Sequence, residues 1–176
     1  AAAQFGDHGE SRAVALAVYL GMRLGELHAL RWSDVDLAEG TVLVHQAWDR
    51  KGKKTKAPKS NATRRFTFEA EALPLLKALH RETEGKGTVL DVPNYPNAAS
   101  DLRDHLRAVG VTRPDLFVTD ATRKQLSFHD LRATCLTWMA IRGDDPLRIQ
   151  WRGGHTDFAM TQKYVAQGRV LGAGRA

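Results

Sequence analysis

Residues 153–165 read Gly-Gly-His-Thr-Asp-Phe-Ala-Met-Thr-Gln-Lys-Tyr-Val, and their spacing dictates a bend. His155 and Tyr164 are nine residues apart. At ~100° per residue an unbroken helix would hold them on opposite faces. The pair Gly153-Gly154 stops one helix, and Thr156 or Asp157 is a good N-cap for the next. A turn between the two helices returns His155 and Tyr164 to one cleft.

Working outward, Pro146 to Arg152 reads as a short helix ahead of that turn. From His129 to Gly143, Leu131, Cys135, Leu136 and Met139 fall on one face of a longer helix. Further helices are expected at 98–109 (Leu102, Leu106, Val109; stopped by Gly110) and from about Leu73 to Thr83, closed by Gly85-Lys86-Gly87. Residues 112–127 fit a long loop. Toward the N-terminus, Leu16, Leu20, Leu24 and Leu27 trace one apolar helical face from Ser11, its expected cap, to about Trp32. Thr41–Val44 and Thr63–Phe68 read as two strands of a hairpin or small sheet. The fold class is therefore mainly α with a small antiparallel β-hairpin.

The strands are joined by a basic connection. Between Lys51 and Phe68 there is no acidic residue, while Lys51, Lys53, Lys54, Lys56, Lys59, Arg64 and Arg65 all lie within it. Alone, such a run is most often a solvated loop. With a net charge of +6 it also suits a polyanion held through its backbone. With 176 residues, 43% of them hydrophobic, the chain suits one domain with an ordinary core. One cysteine, Cys135, excludes an internal disulfide framework and fits a reducing cytoplasm. No apolar run is long enough to span a bilayer as a helix. His28, His45, His80 and His105 lack metal-ligand spacing with one another or with a nearby cysteine, so a metal is not expected.

Four separated elements offer groups suited to a phosphodiester. Arg23 and Glu26, three apart, fit a guanidinium fork steadied by a carboxylate on one helical face, though an ordinary helical ion pair looks the same. His129 and Arg132, again three apart, can converge on one anion. His155 and Tyr164 share the bend. Lys59, following Pro58 on the hairpin connection, suits a donor to a leaving oxygen. The rival hydroxyls are Tyr19, in an apolar run, and Tyr95, between Asn94 and Pro96. Neither has basic neighbours. Trp32, Trp48, Trp138 and Trp151 can stack on bases, but core packing is expected for most of them.

Taken in order, these boxes resemble the tyrosine recombinase, or phage integrase, family over residues 11–168. GMRLGELHALRWSDVD is similar to the family's first box and APKSNATRRFTF to its lysine segment. FHDLRATCLT and GGHTDFAMTQKYV are similar to its last two boxes. The resemblance implies the family's catalytic-domain fold, that of DNA breaking and rejoining enzymes. It implies Arg23, Lys59, His129, Arg132 and His155 as catalytic residues, Glu26 as support, and Tyr164 as a nucleophile forming a 3′-phosphotyrosyl link to DNA. Lys56 stays open as the alternative to Lys59. Lys51, Lys53, Lys54, Lys56, Arg64 and Arg65 are expected to contact DNA.

Residues 1–10 are expected to be interdomain linker, 11–168 the catalytic domain and 169–176 a tail, with the N-terminal core-binding domain outside the chain. The implied partner is double-stranded DNA at a specific recombination site, bound by a tetramer when full length; a monomeric fragment is left open. A bacterial or phage origin is implied. The family pattern has apolar residues where this chain has Trp151-Arg152-Gly153. Two other readings are a type IB topoisomerase, with the same chemistry, and a DNA-binding module without catalysis.

Overall fold

The apolar spacing from Ser11 to Trp32 continues through Leu24 and Leu27, yet the chain does not remain one helix. In the computed structural model, which describes residues 9–49, 51–57, 63–90 and 98–172, α1 (Gly9–Leu20) ends at Gly21 and α2 (Leu24–Ala29) starts after an extended Arg23. Gly21 takes φ +63°, a conformation costly for residues with a Cβ. A side chain there would also meet Cys135 Sγ at 2.9 Å. The break frees the Gly21 carbonyl from helical bonding, and the site uses it. Ser11 lies inside α1 rather than capping it; its hydroxyl hydrogen-bonds His105 Nε2 at 3.0 Å.

Beyond α2 and a 3-10 turn come β1 (Val35–Asp36), β2 (Thr41–Val44), β3 (Ala47–Asp49), β4 (Lys54–Lys56) and β5 (Arg64–Thr67). The expected strand pair is present. β2 and β5 are antiparallel, with Val42 opposite Phe66 and Val44 opposite Arg64, and β1 lies on the other side of β2. Within the basic connection the sequence did not reveal the second hairpin, β3–β4. Its strands are too short for alternation to register. Trp48 of β3 stacks on His28 of α2, ring centroids 5.0 Å apart, fixing this hairpin to the helix beside Arg23.

The other helices are α3 (Leu73–Glu82), α4 (Ala98–Ala108), α5 (Phe128–Arg142), α6 (Pro146–Gly153) and α7 (Phe158–Gly172). They fall within a few residues of the expected positions. Residues 112–127 form a connection holding one 3-10 turn, Pro114–Leu116. α5 is central, packing on α1 and α7. Its Leu131 joins the main core of Leu16, Leu20, Leu27, Val42, Phe66 and Leu76, while Cys135, Leu136 and Met139 close with Ile149 over Tyr164 and Val165. Ser127 and Asp130 secure the first turn of α5: the Asp130 carboxylate accepts from the Ser127 amide and hydroxyl, both at 2.7 Å. Trp32 is buried and Trp48 half-buried, as expected for core residues, but Trp138 and Trp151 are each 53% exposed. Among the described residues no helix is long and apolar enough to cross a membrane.

Gly21→Ala should cost more stability than Gly143→Ala in urea denaturation. Both glycines have positive φ, a strain of ~1 kcal/mol for alanine, but nothing lies within 4 Å of a Cβ at 143. Equal costs would show that the fit of Gly21 against Cys135 contributes nothing.

Candidate active site

The last four carbonyls of α6, and that of the C-cap Gly154 after it, are left by helix geometry to other partners. Gly154, at φ +54°, turns the chain so that its own N–H and that of His155 satisfy Gln150 and Trp151. The next carbonyls are taken by arginines from distant elements. Arg64 Nε donates to Arg152 O at 3.2 Å, Arg132 Nη2 to Gly153 O, and Arg23 Nη2 to Gly154 O at 3.3 Å. The turn predicted from Gly153-Gly154 is thus also the point on which the arginines converge.

Arg23 is the N-cap of α2, not a residue within the same helix as Glu26, because the chain is extended at 23. The pairing survives this correction. Glu26 accepts from the Arg23 amide and from Arg23 Nη1, both at 3.0 Å. Burial pushes the Glu26 carboxyl up, but the Arg64 guanidinium and then Arg23 outweigh this and hold it below the ordinary carboxylate range. Arg132 is 1% exposed and donates from Nη1 to the carbonyl that Gly21 leaves free, at 3.0 Å. Its Nε has no hydrogen-bond partner among the described residues. Burial and then repulsion from Arg23 lower its pKa to about 10, leaving it charged at neutral pH.

His155 lies on Tyr164, ring centroids 5.6 Å apart and planes 10° from parallel. The two are in one cleft, as the bend required. His155 Nδ1 is 3.0 Å from Thr161 Oγ1, a wholly buried hydroxyl. Burial, followed by the charges of Arg132, Arg23 and Arg64, depresses the His155 pKa to about 4, so the ring is neutral at physiological pH. Tyr164 is half-buried against the cluster of Cys135, Leu136, Met139 and Ile149. His129 is exposed on the first turn of α5.

The basic segment divides. Lys51, Lys53, Lys54, Lys56 and Arg65 are exposed. Lys56 pairs with Asp49 across the β3–β4 hairpin at 3.0 Å. Lys59 lies outside the described residues. Arg64 corrects the expectation of a DNA contact. It points inward in the pleat of β5, its side chain is 1% exposed, and both Nη atoms bind Glu26, at 3.1 and 2.7 Å.

A model of the phage integrase family matches residues 7–169. The chain belongs to the phage integrase family. It is 30% identical over 145 residues to tyrosine recombinase XerC of Xanthomonas campestris, covering 82% of the chain and 40% of that protein. It is 30% identical over 164 residues to a putative prophage phiRv2 integrase of Mycobacterium tuberculosis, covering 89% and 42%. The chain thus spans less than half the length of these relatives.

Solved structures share its fold. The Tn1549 transposon integrase, in complex with a circular intermediate DNA, superposes with a TM-score of 0.69 at 18% identity, over 88% of this chain and 53% of that one. XerA recombinase gives 0.67 at 22%, over 97% and 58%.

Sequence reasoning missed two residues of the candidate site. Thr161 stands three before Tyr164 on α7, a spacing that would have placed both on one face. Arg152 occupies the position where the family pattern has apolar residues. It is 5% exposed and lies over Phe66 at 4.5 Å. Its Nη1 caps α1 at Tyr19 O, 3.2 Å away, and its Nη2 binds Thr67 O and, at 3.2 Å, Glu69. Stem and head thus replace an apolar contact with a packed, hydrogen-bonded one.

Because His155 is held neutral in the fold, the unfolded chain binds the extra proton first. Stability should be level above ~6.5, the ordinary histidine value, and fall as pH drops from there toward about 4. Urea denaturation across that window should show a shallower loss for His155→Gln. An unchanged slope would mean that His155 is already charged in the folded state.

Proposed function

We propose that this domain cleaves and rejoins double-stranded DNA at specific recombination sites, with Tyr164 as the nucleophile. The observation that carries this reading is the stack of Tyr164 on His155 beside the turn that Arg23 and Arg132 grip. A free tyrosine hydroxyl titrates near ~10 and is a weak nucleophile at neutral pH. Its neighbours must take its proton and offset the charge that builds on phosphorus.

In the proposed step Tyr164 Oη bonds to phosphorus and the bond to the 5′ oxygen breaks. His129, open to solvent, takes the phenol proton, and Lys59 gives one to the departing 5′ oxygen. Arg23 and Arg132 donate to the non-bridging oxygens, and the unpaired Arg132 Nε is a donor available for this. With the Thr161 hydroxyl donating to Nδ1, a neutral His155 carries its proton on Nε2 and offers a further donor. Attack of a second 5′-hydroxyl on the phosphotyrosine reverses the chemistry, so the phosphodiester energy is conserved and no metal or nucleotide enters the balance. Exposed Lys51, Lys53, Lys54 and Arg65 provide salt-dependent, sequence-blind backbone contacts. Strand exchange within a tetramer on synapsed DNA is the role proposed for the full-length protein.

The test is covalent capture from a pool of nicked suicide duplexes with randomised cores, read by denaturing electrophoresis. The chain should form an adduct and Tyr164→Phe none. An adduct with Tyr164→Phe would refute the assignment. Duplexes with a 5′-bridging sulfur, whose leaving group needs no acid, should restore cleavage to Lys59→Ala. Rescue of Lys56→Ala instead would move the acid to Lys56.

A further inference from the structure

One fully buried arginine beside the site, Arg64, has no catalytic role implied for it by the family resemblance. Arg64 opens β5, and alternation along the strand turns it inward with Phe66. Burying a guanidinium is costly unless its donors are met and its charge paired. Both conditions hold. Its Nη atoms bind both oxygens of Glu26 in a bidentate pair, and its Nε takes the carbonyl of Arg152. Gly154 is shaped to this neighbour, since a Cβ there would come within 3.0 Å of Arg64 Nη1. β5 and α6 are joined further by Trp151 Nε1 donating to Arg65 O at 2.7 Å and by Arg152 Nη2 on Thr67 O.

We propose that Arg64 is a positioning residue for the cleavage reaction, holding the Glu26 carboxylate against Arg23 and fixing the turn that carries His155. This rests on the reading of Tyr164 as the nucleophile. Arg64 does not reach DNA. It acts through Glu26, whose oxygens face Arg64 from β5 and Arg23 at the head of α2; Arg132 of α5 senses the same charge, and His155 stands beyond these arginines. Without Arg64, burial favours the protonated Glu26, and only Arg23, hydrogen-bonded to it, and the more distant charge of Arg132 oppose it. A neutral Glu26 holds Arg23 poorly, and Arg23 then leaves both Gly154 and the phosphate. The loss should therefore depend on pH, which a simple packing role would not produce.

Glu26 can be followed without DNA through its carboxyl carbon resonance, assigned with Glu26→Gln. In the unmodified chain it should stay ionised to below the ordinary carboxylate range, and in Arg64→Met it should titrate above it. In adduct formation with the randomised suicide duplexes, Arg64→Met should lose, relative to the unmodified chain at the same pH, about tenfold for each pH unit below the raised Glu26 pKa. Arg64→Lys, which keeps the charge, should restore much of the profile. Arg64→Met with Glu26→Gln leaves no unpaired buried charge and serves if the single variant fails to fold; its cleavage should be low without that acid-side loss. Glu26 remaining ionised in Arg64→Met, or cleavage reduced by one factor at every pH, would overturn the proposal. If the unmodified chain forms no adduct, the reading of Tyr164 fails, and the Glu26 titration still decides whether Arg64 holds that carboxylate.

Discussion

The carbonyls of Arg152, Gly153 and Gly154 each accept a hydrogen bond from a different arginine, and the site is built around that convergence. Three guanidinium groups gathered at one place repel one another. Here the repulsion is offset by the negative end of α6, by its unsatisfied carbonyls and by the buried Glu26. The same oxygens fix where the guanidinium planes lie. A phosphate entering the site would meet donors already oriented, with little reorganisation left to the moment of reaction. Burial first, and then repulsion from the neighbouring arginines, depresses the pKa values of Arg132 and His155.

Two interruptions of helix make the convergence possible. At Gly21 the break releases a carbonyl to Arg132 and sets Arg23 at the head of a new helix. At Gly154 the turn presents carbonyls to three arginines and brings His155 over Tyr164. Each glycine has positive φ and a close neighbour, Cys135 at one and Arg64 at the other. Glycine is thus used where a left-handed turn that other residues adopt only at a cost places the site's groups. Arg152 links the two interruptions, capping the end of α1 from within α6.

The bend at 153–157 was legible because glycines, a capping residue and a known angular step leave little choice. The helices of 73–82 and 128–142 were legible from apolar periodicity for the same reason. The break at Gly21 was not, since Leu24 and Leu27 continue the spacing of α1 and conceal the change of direction. Arg64 was misread because charge in a basic run suggests solvent, whereas strand alternation and the partner Glu26, 38 residues away, decide its burial. Arg152 and Thr161 depend on contacts that a linear pattern does not encode. The family match secures the family to which the boxes belong, while the roles of individual residues are proposals.

The central claim is that a single hydroxyl, that of Tyr164, becomes joined to DNA. Trapped adduct digested with nuclease and trypsin, then sequenced by mass spectrometry, would locate the bond directly. The account predicts a residual nucleotide phosphate on Tyr164 within the peptide 164–169, which follows Lys163 and ends at Arg169. A nucleotide found on Tyr19, on Tyr95 or on a serine would contradict it.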